Sequence, residues 1–240
     1  PTTRRWRSVV VSEAVVSAAM SEPISSYYGL LRRIHELRQP SLYVEIGVHE
    51  GHSLVFVQPS TRIVGVDPEP KVAEAPANST IVAQTSDDFF ADPVALRGAK
   101  IELAFADGLH WWEQTLRDVA NLERLSSPDA VILIHDCNPI DETTAARNRT
   151  TAVWSGDVWK TIVALRRFRP DLHVVVADVK PTGLAIVKGL DPTNTMLFDQ
   201  YDEIVAEIDQ LGWADIATAD RSKFLGLVPG DWAGLRPLVA

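Results

Sequence analysis

The sequence predicts an α/β fold: a doubly wound sheet of seven strands, helices on both faces in a three-layer αβα arrangement, and the last strand antiparallel. Three observations carry this expectation. Short apolar runs alternate with helix-period stretches, the pattern of a parallel sheet joined by helical crossovers. The runs are mostly apolar on both sides, as strands buried on both faces must be. Only the final two runs are joined by a link too short for a crossover, Asp178-Val-Lys-Pro-Thr-Gly183, so they should form an antiparallel hairpin.

In chain order, Ser26–Leu37 reads as a helix and Leu42–Ile46 as the first strand. Gly47 and Gly51 let the chain turn at its end, and His52–Val57 reads as a short helix with Ser53 as its N-cap. Arg62–Asp67 and Thr80–Ala83 come next as strands, then a helix over Asp87–Leu96 and a strand over Ile101–Ala106. Trp112–Leu125 bridges to the strand Ala130–Ile134, and Asp157–Phe168 bridges to Leu172–Ala177, with Leu184–Val187 closing the sheet. Thr195–Leu211 reads as one amphipathic helix. The whole reads as a single domain over 1–240, with a core at 42–188, N-terminal helices within 9–38 and a helical extension at 189–240. Residues 138–156 hold Asn-Pro, two Thr-Thr pairs, Arg147 and Arg149 but no apolar period. A long irregular stretch inside a compact domain is functional or disordered. This one starts at the tip of the fifth strand and reads as a lid.

Composition narrows the function classes. No apolar run approaches the roughly 18 residues of a membrane span. A single cysteine, Cys137, excludes an intramolecular disulfide and fits a reducing, cytoplasmic setting. A net charge of −9 argues against nucleic acid as a partner and favours a small ligand.

Two polar clusters stand at strand tips. Asp107-Gly-Leu-His110 comes after the fourth strand, and His135-Asp136-Cys137-Asn138 after the fifth, with Asp107 and His135 28 residues apart. Parallel strands with one crossover bring both to the carboxyl edge of the sheet, where open α/β sheets bind ligands. The residue types suggest a metal with a base beside it. A second site is legible upstream in Glu45-Ile-Gly47-Val-His49-Glu-Gly51-His-Ser53. Its glycine spacing lacks the G-x-G-x-x-G of a dinucleotide site, and Glu45 would repel a pyrophosphate while suiting a cation. Asp67, at the second strand tip, suits a ribose grip or a cap on a helix after Pro68. Of Gln84–Asp88, Ser86 is the candidate for an adenine edge, with helix capping as the alternative.

Together these residues resemble the class I S-adenosylmethionine (SAM)-dependent methyltransferases, and their metal-dependent O-methyltransferases in particular. Glu45, Gly47, Gly51 and Ser53 match that family's SAM loop, His49 lines it, and Asp67 falls at its ribose position. Asp107-Gly-Leu-His110, His135-Asp-Cys-Asn-Pro139 and Trp154-Ser-Gly-Asp-Val-Trp-Lys160 are similar to a branch of small bacterial enzymes, some of which methylate sugar hydroxyls. The resemblance, over about Leu42 to Val187, implies a Rossmann-like sheet and a homodimer. It implies Mg²⁺, with Mn²⁺ or another divalent ion as substitutes, on Asp107, Asp136 and His135. The His-Asp pair departs from the carboxylate-rich pairs of relatives, and imidazole leans away from Mg²⁺. His135 is therefore either a ligand or an orienting group.

The resemblance also places a base three residues after the first aspartate. That position is His110, where the catechol type has lysine. A histidine titrating near neutrality suits removal of a hydroxyl proton. Asp107 then serves both metal and catalysis and faces SAM. Trp154, Trp159 and Asn138 are the candidate acceptor contacts, with core packing as the alternative for the tryptophans. The expected reaction is methyl transfer to a sugar or glycoside hydroxyl of a small or oligosaccharide acceptor. A catechol or phenol acceptor is the alternative. An NAD-dependent oxidoreductase and a non-catalytic SAM-binding protein are the lesser readings.

Overall fold

The computed structural model describes residues 23–240. Its centre is one eight-stranded sheet in the order β3-β2-β1-β4-β5-β7-β6-β8. The strands are β1 Leu42–Ile46, β2 Arg62–Asp67, β3 Ser79–Ala83, β4 Ile101–Ala106, β5 Ser126–His135, β6 His173–Asp178, β7 Leu184–Lys188 and β8 Leu227–Pro229. β1 to β5 pair in parallel, whereas β7 runs antiparallel to both β5 and β6.

The expected count of seven strands is corrected to eight. β7 is the antiparallel strand, but the last strand in sequence is β8, which adds in parallel at the edge beside β6. Three residues ending in Pro229 carry no readable period. Proline cannot donate to a ladder, and an edge tolerates it.

The central strands are buried on both faces. Tyr43, Ile63, Leu103 and Phe105 pack in one apolar cluster with helix Tyr27–Arg38 and helix Trp232–Val239. Val44, Val64, Ala104 and Ile132 pack in the other with helices Trp112–Leu125 and Trp159–Phe168. Successive side chains point to opposite faces, so helices cover both.

Several helices are shorter than their patterns predict. Asp87–Leu96 becomes Ser86–Ala91 and a 3₁₀ turn at Val94–Leu96, because Pro93 interrupts the helix. Thr195–Leu211 becomes Met196–Asp199 and Tyr201–Ile208, broken at Gln200. His52–Val57 shrinks to a single 3₁₀ turn, Leu54–Phe56. The part of the N-terminal helices expected at residues 9–22 lies outside the described residues. No helix among the described residues is long and apolar enough to cross a membrane.

One buried ion pair ties the C-terminal extension to the core. Arg169 and Glu123 are 1% and 2% exposed and meet in a fork, Nη1 to Oε2 at 2.6 Å and Nη2 to Oε1 at 2.8 Å. Glu123 Oε1 also accepts the Asp191 amide at 2.9 Å, and Asp171 takes a further Arg169 donor at 2.7 Å. The clamp joins two helices of one face to the first residues after β7.

Candidate active site

The sheet order reverses between β1 and β4: from β1 the chain continues to β2 on one side, and β4 enters on the other. Such a switch point opens a crevice at the carboxyl ends of the strands. Here it is a cavity of about 700 Å³. Gly47 makes the crevice close-fitting, because with φ +89° a Cβ at this position would lie 2.0 Å from the Asp107 carbonyl oxygen. Only glycine lets these two strand tips meet.

The wall includes Gly47, His49, Asp67, Ser86, Gln114 and Asp118. Asp67 Oδ2 accepts the His49 amide and Oδ1 accepts the Glu69 amide, both at 2.8 Å. It thus fixes the β1 loop while facing the cavity. Ser86 does not cap its helix. Thr85 does, accepting the Asp88 amide, and the Ser86 hydroxyl accepts from Gln114 Nε2 at 3.1 Å.

Gln114 and Asp118 went unread in the sequence, although a signal was present. Asp118 sits on the buried stripe of helix Trp112–Leu125 with Leu116, Val119 and Leu122, where a carboxylate is out of place. Burial pushes its carboxyl up to about 6 against hydrogen bonds from Ser86 and Gln114 that lower it. A folded-state pKa above the unfolded value means the folded state binds the proton more tightly, so stability falls as pH rises from about 4 to about 6. Asp118→Asn is therefore expected to gain about 2–3 kcal/mol in urea denaturation at about pH 8 and nearly nothing at about pH 4. An equal gain at both would contradict this account.

The two polar clusters converge in the same wall. Asp107 comes directly after β4, with its amide donating to the Ile46 carbonyl at 2.9 Å. His135 ends β5, and Asp136 turns with φ 62°. His110 has φ 59°. Of the five described non-glycine residues with positive φ, His49, His110 and Asp136 all line this cavity. Strained backbone of this kind gathers at functional sites.

His110 Nε2 lies 3.4 Å from Asp107 Oδ1, and its Nδ1 lies 3.3 Å from Asp136 Oδ2 and 3.0 Å from the Trp154 carbonyl oxygen. His135 Nδ1 lies between the same carboxylates, 3.1 Å from Asp107 and 3.2 Å from Asp136, while its ring stacks on Tyr27 at 3.9 Å. The Thr182 hydroxyl donates to Asp136 Oδ1. Burial disfavours charge on both histidines, but the two carboxylates outweigh it, raising His110 and taking His135 to about 10. Burial would raise Asp107, yet the two imidazoles hold it well below the usual carboxylate range.

Asp107, His110 and Asp136 each offer one ligand atom, and these lie within 4.8 Å of one another. Two carboxylate oxygens and an imidazole nitrogen suit a divalent ion. His135 is not one of this trio, and its Nδ1 contacts both carboxylates.

The 138–156 loop folds over the site. Trp154 stacks on His110 with ring centroids 4.8 Å apart at 16°, and its Nε1 donates to the Ala146 carbonyl. Gly156 lies against His110 so closely that a Cβ would come 2.0 Å from the His110 carbonyl oxygen. Arg147 anchors the loop to Glu113 and to Asp157, and its guanidinium lies 4.6 Å over the Trp111 ring.

Of the residues read from sequence, Gly47, His49, Asp67, Ser86, Asp107, His110, His135, Asp136 and Trp154 line the cavity. Glu45, Gly51 and Ser53 stand outside its wall. The Ser53 hydroxyl donates to Glu45 instead of capping a helix, Tyr43 donates to the same carboxylate at 2.7 Å, and burial raises Glu45 to about 8. Trp159, 2% exposed, belongs to the apolar core. Asn138 is engaged by Arg221 and Asp178 away from the cavity. Cys137 is fully buried.

Residues 44–137 match a family model described as a methyltransferase domain. No curated protein matches the sequence. Among solved structures with the same fold, Rv0187 from MTB, determined with cofactor bound, is 18% identical, with a TM-score of 0.53 over 74% of this chain and 87% of its own. The O-methyltransferase TomG of Streptomyces achromogenes, involved in tomaymycin synthesis and solved with SAM, is 18% identical, with a TM-score of 0.51 over 69% of this chain and 80% of its own. An O-methyltransferase from Bacillus cereus, solved with SAH, is 12% identical, with a TM-score of 0.53 over 75% of this chain and 92% of its own. Residues 44–137, which contain the glycine turn, Asp67 and both polar clusters, are thus similar to a methyltransferase domain, and the chain shares its fold with these O-methyltransferases.

Proposed function

We propose that this protein is a SAM-dependent O-methyltransferase that methylates a hydroxyl of a small acceptor, with a sugar or glycoside as the first class. The observation that carries the reading is the convergence of Asp107, His110 and Asp136 in the wall of a cavity that Asp67 and the Gly47 turn also line. A phenol or catechol is the second class, favoured by the exposed apolar Leu109 and Val153 in the wall beside Trp154.

Bound SAM supplies an activated methyl group, and a divalent ion on Asp107 and Asp136 supplies charge that lowers the pKa of a hydroxyl beside it. The chain's own residues do the rest. Asp67 holds the ribose, and the Gly47 turn brings the β1 and β4 tips together beneath the reacting atoms. His110 accepts the acceptor's proton at Nε2, because its Nδ1 faces the Trp154 carbonyl. His135 keeps both carboxylates aimed into the cavity. Trp154 covers His110 and keeps water from it. Placement of two bound reactants in line accounts for most of the remaining acceleration.

The test is a SAM-turnover screen over sugars, glycosides and catechols, with and without Mg²⁺ and EDTA. Turnover is expected with at least one hydroxylated acceptor, and EDTA is expected to abolish it, with Mg²⁺ or Mn²⁺ restoring it. Full activity in excess EDTA would remove the metal from the mechanism. Absence of SAM and SAH binding would overturn the reading itself.

A further inference from the structure

We infer that the acceptor carries a carboxylate on its ring, and that Arg149 of the covering loop is the residue that recognises it. The inference rests on the methyl-transfer reading and names its substrate class.

The cavity wall holds five carboxylates: Asp67, Asp87, Asp107, Asp118 and Asp136. Each is engaged by this chain: Asp67 by two backbone amides, Asp87 by Arg117, Asp118 by Gln114, and Asp107 and Asp136 by the two histidines. Among the described residues, Arg149 is the only arginine or lysine lining the cavity, and no carboxylate pairs with it. Its guanidinium makes only two long bonds to carbonyls of its own loop, Nε to Thr151 at 3.3 Å and Nη2 to Ala152 at 3.2 Å. Arg149 is exposed and the five carboxylates are all engaged by other groups, so its charge is left open to a ligand.

Its position names the ligand. Arg149 shares the wall with Ala152, Val153 and Trp154, and Trp154 stacks on His110. It therefore belongs to the loop that covers the base, while Asp67 ends β2 and Ser86 follows β3. Leu109 and Val153 are 51% and 41% exposed there, so the adjoining surface is apolar. A ring set against Leu109, Val153 and the tryptophan, with its hydroxyl at His110, would turn another substituent toward Arg149. A guanidinium fork matches a carboxylate with two parallel hydrogen bonds. The shared chemistry is a hydroxylated ring acid, either a uronic acid or a hydroxybenzoate.

The experiment measures binding, so it does not depend on turnover. Calorimetric titrations use protein saturated with SAH and Mg²⁺. One arm compares methyl glucuronide with methyl glucoside, the other 3,4-dihydroxybenzoate with its amide. In wild type at least one acid is expected to bind about tenfold or more tighter than its neutral twin, the range for a charge-assisted hydrogen bond. In Arg149→Met that ratio is expected to fall to near one, with the neutral twin and SAH unchanged, and Arg149→Lys should keep part of it. The arm that responds identifies the ring. A ratio near one in wild type, an unchanged ratio in Arg149→Met, or no binding by any of the four overturns the inference. So does weakened SAH binding in the variant, which would assign Arg149 to the co-substrate's own carboxylate. Intact SAH binding in these cases leaves the methyl-transfer reading standing, whereas loss of SAH binding in wild type overturns both.

Discussion

His110→Ala is expected to lower turnover about 10²–10⁴-fold, the usual contribution of a positioned general base. SAH affinity should be unchanged, since the nucleoside is assigned to Asp67 and not to His110. A metal titration separates the two roles open to it. If His110 takes the proton, Mg²⁺ or Mn²⁺ binds the variant as it binds wild type. If it is instead a ligand, as its 4.8 Å grouping with Asp107 and Asp136 permits, metal affinity falls along with turnover. Near-normal turnover would remove His110 from the chemistry altogether. Because Trp154 stacks on His110, His110→Gln is the companion variant. It keeps a planar polar group under the indole and should be as inactive as the alanine.

Glu123→Ala is expected to cost about 3–5 kcal/mol of stability, because it strands a buried guanidinium. Arg169 is 1% exposed, and Asp171 alone would remain to pair with it. Urea denaturation reads the loss directly. The double variant Glu123→Leu with Arg169→Met should recover most of it, since matched apolar replacement of a buried pair is close to neutral. The Asp191 amide, which Glu123 also receives, should make the start of the C-terminal extension exchange hydrogen faster in the single variant. A loss below about 1 kcal/mol would mean that the pair is compensated elsewhere.

Much of the site was legible in one dimension because strand tips are legible. A short apolar run ending in Asp, or in His-Asp, marks a carboxyl edge, and parallel pairing brings such edges together. Asp67, Asp107, His110, His135 and Asp136 all reached the cavity wall on that logic. Glu45 and Ser53 did not, because proximity in sequence says nothing about which face of a strand a side chain takes. Glu45 points to Tyr43 and Ser53 and is 1% exposed. Trp159 shows the same limit, since an aromatic at the first position of a helix packs inward when the apolar stripe includes it.

The sequence by itself determined the α/β class, the parallel direction of the first five strands, the hairpin that reverses the seventh, and the residue types at the two strand tips. Those depend on local period, turn chemistry and connection length, all written in consecutive residues. Only the tertiary structure decided that an eighth strand closes the edge and that His110 and His135 both come within reach of Asp107 and Asp136. It alone placed Asp118 and Arg149 in the cavity wall. These depend on contacts between residues tens of positions apart, where a turn of backbone at Asp136 or His110 sets the aim of a side chain and no local pattern records it.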